Sequence, residues 1–137
     1  MSPEICVNEE ILQMRDDRRY HLGDPFSGVG YIPYPSGQLK RKIPYRDGFA
    51  EGLCEAWFAN GQLKEQWHAK RGVVHGVWTA WHENGKLKTV GNYEFGIEVE
   101  YDEWNENGEL LVARRIGPNS TLFPYLERLR NGSVRIP

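Results

Sequence analysis

The chain has 137 residues, a formal net charge of -2 and 39% hydrophobic residues, a composition that suits one soluble globular domain. A slightly acidic chain lacks the basic excess with which general nucleic-acid binders neutralise phosphates, so we expect no nucleic-acid partner. No stretch approaches the roughly 20 apolar residues of a membrane-spanning helix, and the N-terminus has no basic region followed by an apolar run. We therefore expect a cytoplasmic protein without a membrane segment.

The first predicted element is a hairpin that caps the domain within residues 1–27. Residues 11–15 and 19–22 have strand-like composition, and Asp16-Asp17 forms a polar turn between them. A repeat protein needs such a cap, because an open strand edge invites pairing with other chains.

Residues 28–116 contain about four copies of a unit of 23–24 residues. One glycine series has spacings of 24, 24 and 23 residues and comprises Gly37, Gly61, Gly85 and Gly108. Two more series have the 24-residue period, namely Gly48, Gly72 and Gly96, and Gly28, Gly52 and Gly76. A fixed period in three registers indicates a repeat architecture.

The first glycine series is predicted to form the hairpin turns. Asn precedes Gly61, Gly85 and Gly108, and Asn-Gly suits a two-residue primed turn, which needs positive φ at both positions. Such a turn pairs His82 with Leu87, Trp81 with Lys88, Ala80 with Thr89, and Thr79 with Val90. The predicted fold is all-β, an elongated, twisted antiparallel sheet of stacked hairpins.

The same pairing predicts two stripes on opposite faces of the sheet. One stripe contains Leu39, Leu63, Leu87 and Leu110, and the other contains Trp57, Trp81 and Trp104. The tryptophans are either the packed face of the sheet or a partly exposed surface for a partner.

The unit from Gly76 to Lys88, followed by Tyr93 and Gly96, resembles the bacterial variant of the MORN repeat, and the likeness covers roughly residues 10–116. The resemblance implies an antitoxin or immunity protein that neutralises a cognate protein toxin of a polymorphic toxin system. Glu100 replaces an expected glycine, the last unit is one residue short, and Ala69 replaces an aromatic residue. We therefore expect the fourth unit to bend differently or to end the stack.

Residues 117–137 are predicted to form a C-terminal helical cap. Leu122, Phe123, Leu126 and Leu129 have helical spacing. Ser120 or Thr121 is the expected N-cap, and Asn131-Gly132 is the expected end of the helix. A partly disordered tail is the alternative.

An acidic run supplies the candidate partner-binding site. Residues 94–109 contain seven acidic residues and no Lys or Arg. The run is either an ordinary solvated surface or a patch that attracts a basic partner, and a nuclease-type toxin would suit such a patch. The candidate site comprises Trp81, Trp104, Glu98, Glu100, Asp102, Glu103 and Glu106.

Other functions have weaker support in the sequence. No catalytic motif is visible, and His68, His75 and His82 fall on two strands and a loop, so we expect neither an enzyme, a cofactor nor a metal site. Cys6 and Cys54 indicate reduced thiols, although a single disulfide is compatible with the sequence. A basic cluster leaves a membrane-associating scaffold as the alternative function, through Lys40, Arg41, Lys42 and Arg46. Open sheet edges leave the oligomeric state undecided.

Overall fold

The protein is described by a computed structural model that covers residues 5–132. Thirteen strands, one 3-10 helix and one α-helix follow one another along this part of the chain. Their bounds are β1 Cys6–Asn8, the 3-10 helix Glu9–Ile11, β2 Gln13–Arg15, β3 Arg18–His21, β4 Asp24–Pro25, β5 Gly28–Pro33, β6 Leu39–Arg46, β7 Phe49–Ala50, β8 Gly52–Trp57, β9 Leu63–Lys70, β10 Val73–Trp81, β11 Leu87–Glu94, β12 Ile97–Trp104, β13 Leu110–Arg115 and α1 Phe123–Arg130.

The repeats form one long sheet in which sequence neighbours are also spatial neighbours. Its order is β1-β5-β6-β8-β9-β10-β11-β12-β13, with β7 paired to β6, and β2, β3 and β4 form a separate small sheet. The pairs from β5 to β13 are antiparallel. The predicted all-β class of stacked hairpins with a short C-terminal helix is confirmed. The sequence did not predict β1, which pairs in parallel with β5.

The turns at the first glycine series differ from the predicted two-residue type. Gly85 N donates to His82 O at 2.9 Å and His82 N donates to Lys86 O at 2.8 Å, which defines a three-residue loop of Glu83, Asn84 and Gly85. In this loop only the glycine has positive φ, 84° at Gly85, because a type I turn precedes it. Asn84 contributes through its side chain, since its Oδ1 accepts from Lys86 N at 2.9 Å.

The longer loop changes the register beside the turn. Trp81 pairs with Leu87 and not with Lys88, whereas Ala80 with Thr89 and Thr79 with Val90 pair as predicted, after an irregularity between Ala80 and Trp81. The predicted separation of the leucines and tryptophans onto opposite faces is wrong, because directly paired residues share a face.

Primed two-residue turns occur instead at the junctions between hairpins. Asp47-Gly48, Arg71-Gly72 and Phe95-Gly96 have positive φ at both positions. The flanking residues pair directly, for example Lys70 with Val73. The second glycine series therefore marks the tight turns, and the first marks the looser ones.

The fourth unit is one residue shorter because its strand β12 has a smaller register irregularity than β10 of the preceding unit. The four-residue advance along β10 from Val74 to Trp78 is paired with an advance of only two residues on β9, from Ala69 to Trp67. On β12, two steps from Glu98 to Glu100 match one step on β11. The shorter irregularity absorbs the missing residue, so β12 and β13 continue the sheet.

The N-terminal segment is tied to the sheet by a buried carboxylate. Glu9 is 6% exposed and accepts hydrogen bonds from Arg41 Nε at 3.1 Å and Nη2 at 2.8 Å. The Tyr45 hydroxyl donates to its other oxygen. A buried charge needs such partners, because an unpaired one would cost several kcal/mol.

The C-terminal helix covers one corner of the sheet. Leu126 and Leu129 are buried against Ile97, with Phe95 and Ile116 beside them. The predicted N-cap is wrong, because Leu122 holds that position without a side-chain hydrogen bond. Ser120 lies two residues earlier, where its hydroxyl accepts from Leu122 N at 3.2 Å.

Candidate functional site

One face of the sheet, which we call the aromatic face, carries most of the large rings. Residues paired across neighbouring strands share a face, and one such row contains Ile43, Cys54, Trp67, Trp78, Gly91, Tyr101 and Arg114. The Trp78 ring lies 5.9 Å from the ring of Trp67 and 5.9 Å from that of Tyr93. In this row Ile43 and Cys54 are buried, whereas Trp67, Trp78 and Tyr101 keep intermediate exposure.

The five tryptophans occupy an intermediate position between core and surface. All are half-buried, and the set is Trp57, Trp67, Trp78, Trp81 and Trp104. Of the two sequence-based alternatives, a packed face or a partly exposed surface, this intermediate exposure fits the partly exposed one. A half-buried indole keeps apolar area that a partner could still cover.

Three small residues, of which Ala56 and Thr89 are buried, lie in one row across the aromatic face. The next row towards the Asn-Gly turns contains Ala56, Ala80 and Thr89, with Glu65 between the alanines. Rings lie two residues to either side of Ala80, at Trp78 and His82. We define the trough by the floor residues Ala56, Ala80 and Thr89 and by the flanking rings of Tyr34, Phe58, His82, Trp67, Trp78 and Tyr101.

Three hollows lie along the trough. The first, of about 250 Å³, extends from Ile32 to Glu65. The central hollow, of about 530 Å³, includes Trp81 and Glu106, and the last, of about 200 Å³, reaches Glu103. Glu65 lines all three hollows and accepts a hydrogen bond from Trp78 Nε1 at 3.2 Å.

The rings that border the trough are held by contacts between successive units. The Tyr34 hydroxyl donates to Trp57 O at 2.7 Å, and His82 Nε2 lies 2.8 Å from Trp104 O. Lys40 Nζ stands 5.7 Å from the centre of the Tyr34 ring. These contacts give the border a fixed shape before any partner arrives.

The charges around the trough differ between its ends. Lys40 lies at the β6 end, whereas Lys64 lies on β9 in the middle of the trough, where its Nζ is 5.8 Å from the Phe58 ring centre. Glu83, Glu103 and Glu106 lie at the β12 end, with Lys88 beside them. Within residues 5–132, the three carboxylates take part in no ion pair.

Most of the acidic run, by contrast, is neutralised by arginines of the chain itself. Glu98 is bound at both oxygens by Arg114, at 2.9 and 3.1 Å. Asp102 is bound in the same way by Arg115, which is also 3.9 Å from Glu100. The hydrogen bond from Arg115 lowers the pKa of Asp102, so this carboxylate stays charged and paired.

The structure divides the predicted site between the two faces. Glu103 shares a row with Thr89 on the trough, whereas Asp102 and Glu100 share rows with Val90 and Asn92 on the opposite face. Trp81 and Glu106 line the central hollow, and the carbonyl oxygen of Trp104 lies 2.8 Å from Nε2 of the bordering His82.

The arginine partners were missed, although the sequence contained a signal for them. Extending the pairing outward from the Asn107-Gly108 turn places Arg115 opposite Glu100 and Arg114 opposite Tyr101. The basic cluster is likewise divided, because Arg41 is bound to Glu9 and Lys42 pairs with Glu55 on the opposite face.

The histidine and cysteine side chains that were considered for chemistry have contacts that suit a structural role. His75 Nδ1 accepts from Phe95 N at 2.9 Å. Burial raises the pKa of the Cys54 thiol to about 12, so it is protonated and a poor nucleophile. Among residues 5–132 no group of three or more His, Cys, Asp or Glu side chains is placed to hold a metal ion. Over the same residues, no helix has the length and apolarity to cross a membrane.

Comparison with known proteins adds sequence relatives. Residues 33–47, 50–71 and 74–94 match the family described as MORN repeat variant. The chain is 45% identical over 130 residues to the immunity protein YwqK of Bacillus subtilis strain 168, covering 95% of this chain and 82% of that protein.

A solved structure gives a more distant likeness. The crystal structure of accessory secretory proteins 1, 2 and 3 in Streptococcus pneumoniae matches over 90% of this chain at 13% identity, with a TM-score of 0.38. The chain spans 23% of the length of that matched chain, and a TM-score this low supports no comparison of function.

Proposed function

The chain belongs to the bacterial family of MORN-variant repeat proteins of the immunity type, and from this premise we propose that it binds a protein toxin and neutralises it by occlusion. The relative from Bacillus subtilis is named an immunity protein. Such a function needs a surface that a folded partner can cover, and it needs no catalytic group of the chain itself.

The observation that carries the proposal is the half-burial of all five tryptophans on an open sheet. A domain that buries its large rings against a second layer leaves little for a partner. Here the aromatic area is already fixed in place, so binding would cover it without much loss of side-chain entropy. Trp is also enriched among residues that dominate binding energy at interfaces.

The residues proposed to meet the toxin are a subset of the predicted site. Trp81, Glu103 and Glu106 line the trough, and the carbonyl oxygen of Trp104 contacts the bordering His82 ring. Glu98, Glu100 and Asp102 are bound to Arg114 and Arg115, and we propose that they stabilise the last hairpin. The uncompensated carboxylates favour a basic toxin, such as a nuclease, which would meet its substrate in the cytoplasm.

Co-expression tests the proposal directly. The product of the reading frame next to the gene for this chain should arrest growth when expressed alone, and growth should return when this chain is expressed with it. Purified proteins should form a stable complex by size-exclusion chromatography. A neighbouring product that is harmless alone, or that stays lethal in the presence of this chain, would overturn the proposal.

A further inference from the structure

The four hairpin turns hold the side chain that precedes their glycine in two different ways. In the first three turns this side chain accepts a hydrogen bond from the backbone nitrogen that follows the glycine. These bonds are Gln38 N to Ser36 Oγ at 3.3 Å, Gln62 N to Asn60 Oδ1 at 2.9 Å and Lys86 N to Asn84 Oδ1 at 2.9 Å. In the last turn Glu109 N donates instead to Asn105 Oδ1 at 3.0 Å. The side-chain amide of Asn107 therefore makes no hydrogen bond within residues 5–132.

The glycine of the last turn is also uncovered. In the second and third turns a glutamine of the preceding hairpin lies over the glycine, so that an added Cβ would come within 3.2 Å of Gln38 at Gly61 and within 3.0 Å of Gln62 at Gly85. The Gln62 amide, turned to satisfy both of its polar groups, accepts from Gly85 N at 3.3 Å. A Cβ on Gly108 would meet no atom within 4 Å. The last turn thus lacks both of the contacts that protect the two turns before it.

Asparagine before glycine is chemically labile, because glycine has no side chain to hinder attack on the neighbouring amide. The glycine nitrogen bonds to Cγ of the asparagine, the side-chain nitrogen leaves as ammonia with the proton of the glycine nitrogen, and a succinimide ring results. Water then opens the ring, supplies the new carboxylate oxygen and returns a proton to the nitrogen, so that the product is aspartate or iso-aspartate. A hydrogen bond that holds the side chain must break before the attack, which slows the reaction by about two- to tenfold.

We propose that Asn107 is the hairpin-turn asparagine that deamidates in the native protein, through a succinimide with Gly108. Asn60 is held at its oxygen, and Asn84 is held at both ends, because its Nδ2 also donates to Glu106 O at 3.0 Å. The glycine nitrogen donates to the carbonyl oxygen three residues earlier in each of these turns, so that bond does not distinguish them. The rates therefore rise in the order Asn84, Asn60, Asn107. The product places a second carboxylate next to Glu106 in the chain.

Peptide mapping of the full chain after incubation at mildly alkaline pH tests the proposal. The three asparagines lie in different tryptic peptides, and so does Asn131, whose Asn-Gly pair lies at the end of α1 outside the repeats. We expect Asn107 to react at least about threefold faster than Asn60 in the native chain. After unfolding in urea the three should react alike, because each precedes a glycine. A native Asn60 or Asn84 as fast as Asn107, or an Asn107 that reacts only after unfolding, would overturn the proposal.

One substitution tests the cause of the difference. Asn105→Phe gives the last turn the residue that the second turn has at Phe58, and it frees Glu109 N for the Asn107 side chain. Deamidation of Asn107 should then slow by at least about threefold, while the rate at Asn60 in the same molecule stays unchanged. Asn105→His, which copies the third turn, is the second variant if melting temperatures show that the first does not fold. An unchanged rate at Asn107 in the folded variant would overturn the proposal.

Discussion

The side chain of Glu9 lies directly over Gly30, so that a Cβ atom on Gly30 would come within 2.6 Å of Glu9 Cγ and 2.9 Å of Tyr45 Cε2. The buried carboxylate can reach Arg41 and Tyr45 only because this position has no side chain. The glycine thus connects the N-terminal segment to the first repeat.

We predict that Gly30→Ala lowers the free energy of unfolding by about 1–3 kcal/mol, because the added methyl overpacks a site filled by Glu9 and Tyr45. Urea denaturation measures the change. Gly117→Ala is the control, since a Cβ there meets no atom within 4 Å, and it should be nearly neutral. Equal effects of the two substitutions would show that Glu9 does not occupy this site.

The three-residue turns predict a graded response at Gly85. Its φ of 84° strongly disfavours a β-branched residue, so Gly85→Val should cost about 1–3 kcal/mol of stability. Gly85→Asn should cost less, because Asn tolerates the left-handed region better. Thermal unfolding of both variants measures the difference, and a Val variant as stable as the Asn variant would contradict the turn geometry.

The repeat was predictable from the sequence, but the type of turn was not. Asn-Gly suits a two-residue primed turn, and it equally suits a type I turn followed by a left-handed glycine. The junction turns gave a weaker signal, because Arg71 and Phe95 hold positive φ, at 47° and 53°, which side chains of their type rarely adopt. Tertiary packing of Phe95 against α1 is the kind of context that no local pattern contains.

Long-range polar contacts were likewise not predictable from the local sequence. Nothing local to Glu9 indicates that it becomes buried beside Arg41, because the two are joined through the unpredicted strand β1. The trough, by contrast, depends on Ala56 and Ala80, which recur at the repeat period of 24 residues. Their shared row could have been found once the pairing beyond the turn was known.

The buried thiol predicts selective chemical labelling. Cys6 is exposed, whereas Cys54 is buried and the pKa of its thiol is raised to about 12. The labelling reaction is carried out at pH 8. Iodoacetamide should therefore modify Cys6 in the native protein and reach Cys54 only after unfolding, because the thiolate is the reactive form. Peptide mass spectrometry before and after denaturation distinguishes the two sites, and rapid native labelling of Cys54 would contradict its burial.

The raised pKa of Cys54 also makes the stability of the fold depend on pH in the alkaline range. Because the folded-state pKa of Cys54 lies above its ordinary value of 9.0, its contribution to stability is fully present below pH 9.0 and is lost as the pH rises towards 12. Tyr45, whose pKa burial also raises, acts in the same direction. Melting temperatures should fall above about pH 9, and Cys54→Ala should reduce the slope.

The C-terminal helix is held mainly by two leucines. Leu126 is fully buried, so Leu126→Ala should cost about 2–5 kcal/mol if the helix unfolds together with the sheet. Leu122→Ala is the matched control, because Leu122 is 50% exposed. A variant that loses helix signal in circular dichroism while the sheet still melts at the original temperature would show that the helix docks independently.

The second repeat compensates for its missing aromatic residue by moving a ring two positions along the same face. Tyr45 and Tyr93 pair with Gly28 and Gly76, whereas Ala69 pairs with Gly52. Trp67 fills the space instead, and the corresponding position of the third repeat is Gly91, which lies under the Tyr93 ring.

This exchange predicts strong coupling between the two positions. Ala69→Tyr alone should destabilise the protein by about 1–3 kcal/mol, because Trp67 already occupies the space, and Trp67→Gly alone should leave a cavity. The double variant restores the arrangement of Gly91 and Tyr93, so its loss should be smaller than the sum of the single losses by at least about 1 kcal/mol. A double-mutant cycle in urea measures this coupling energy, and additive losses would mean that the side chains at positions 67 and 69 do not compete for one space.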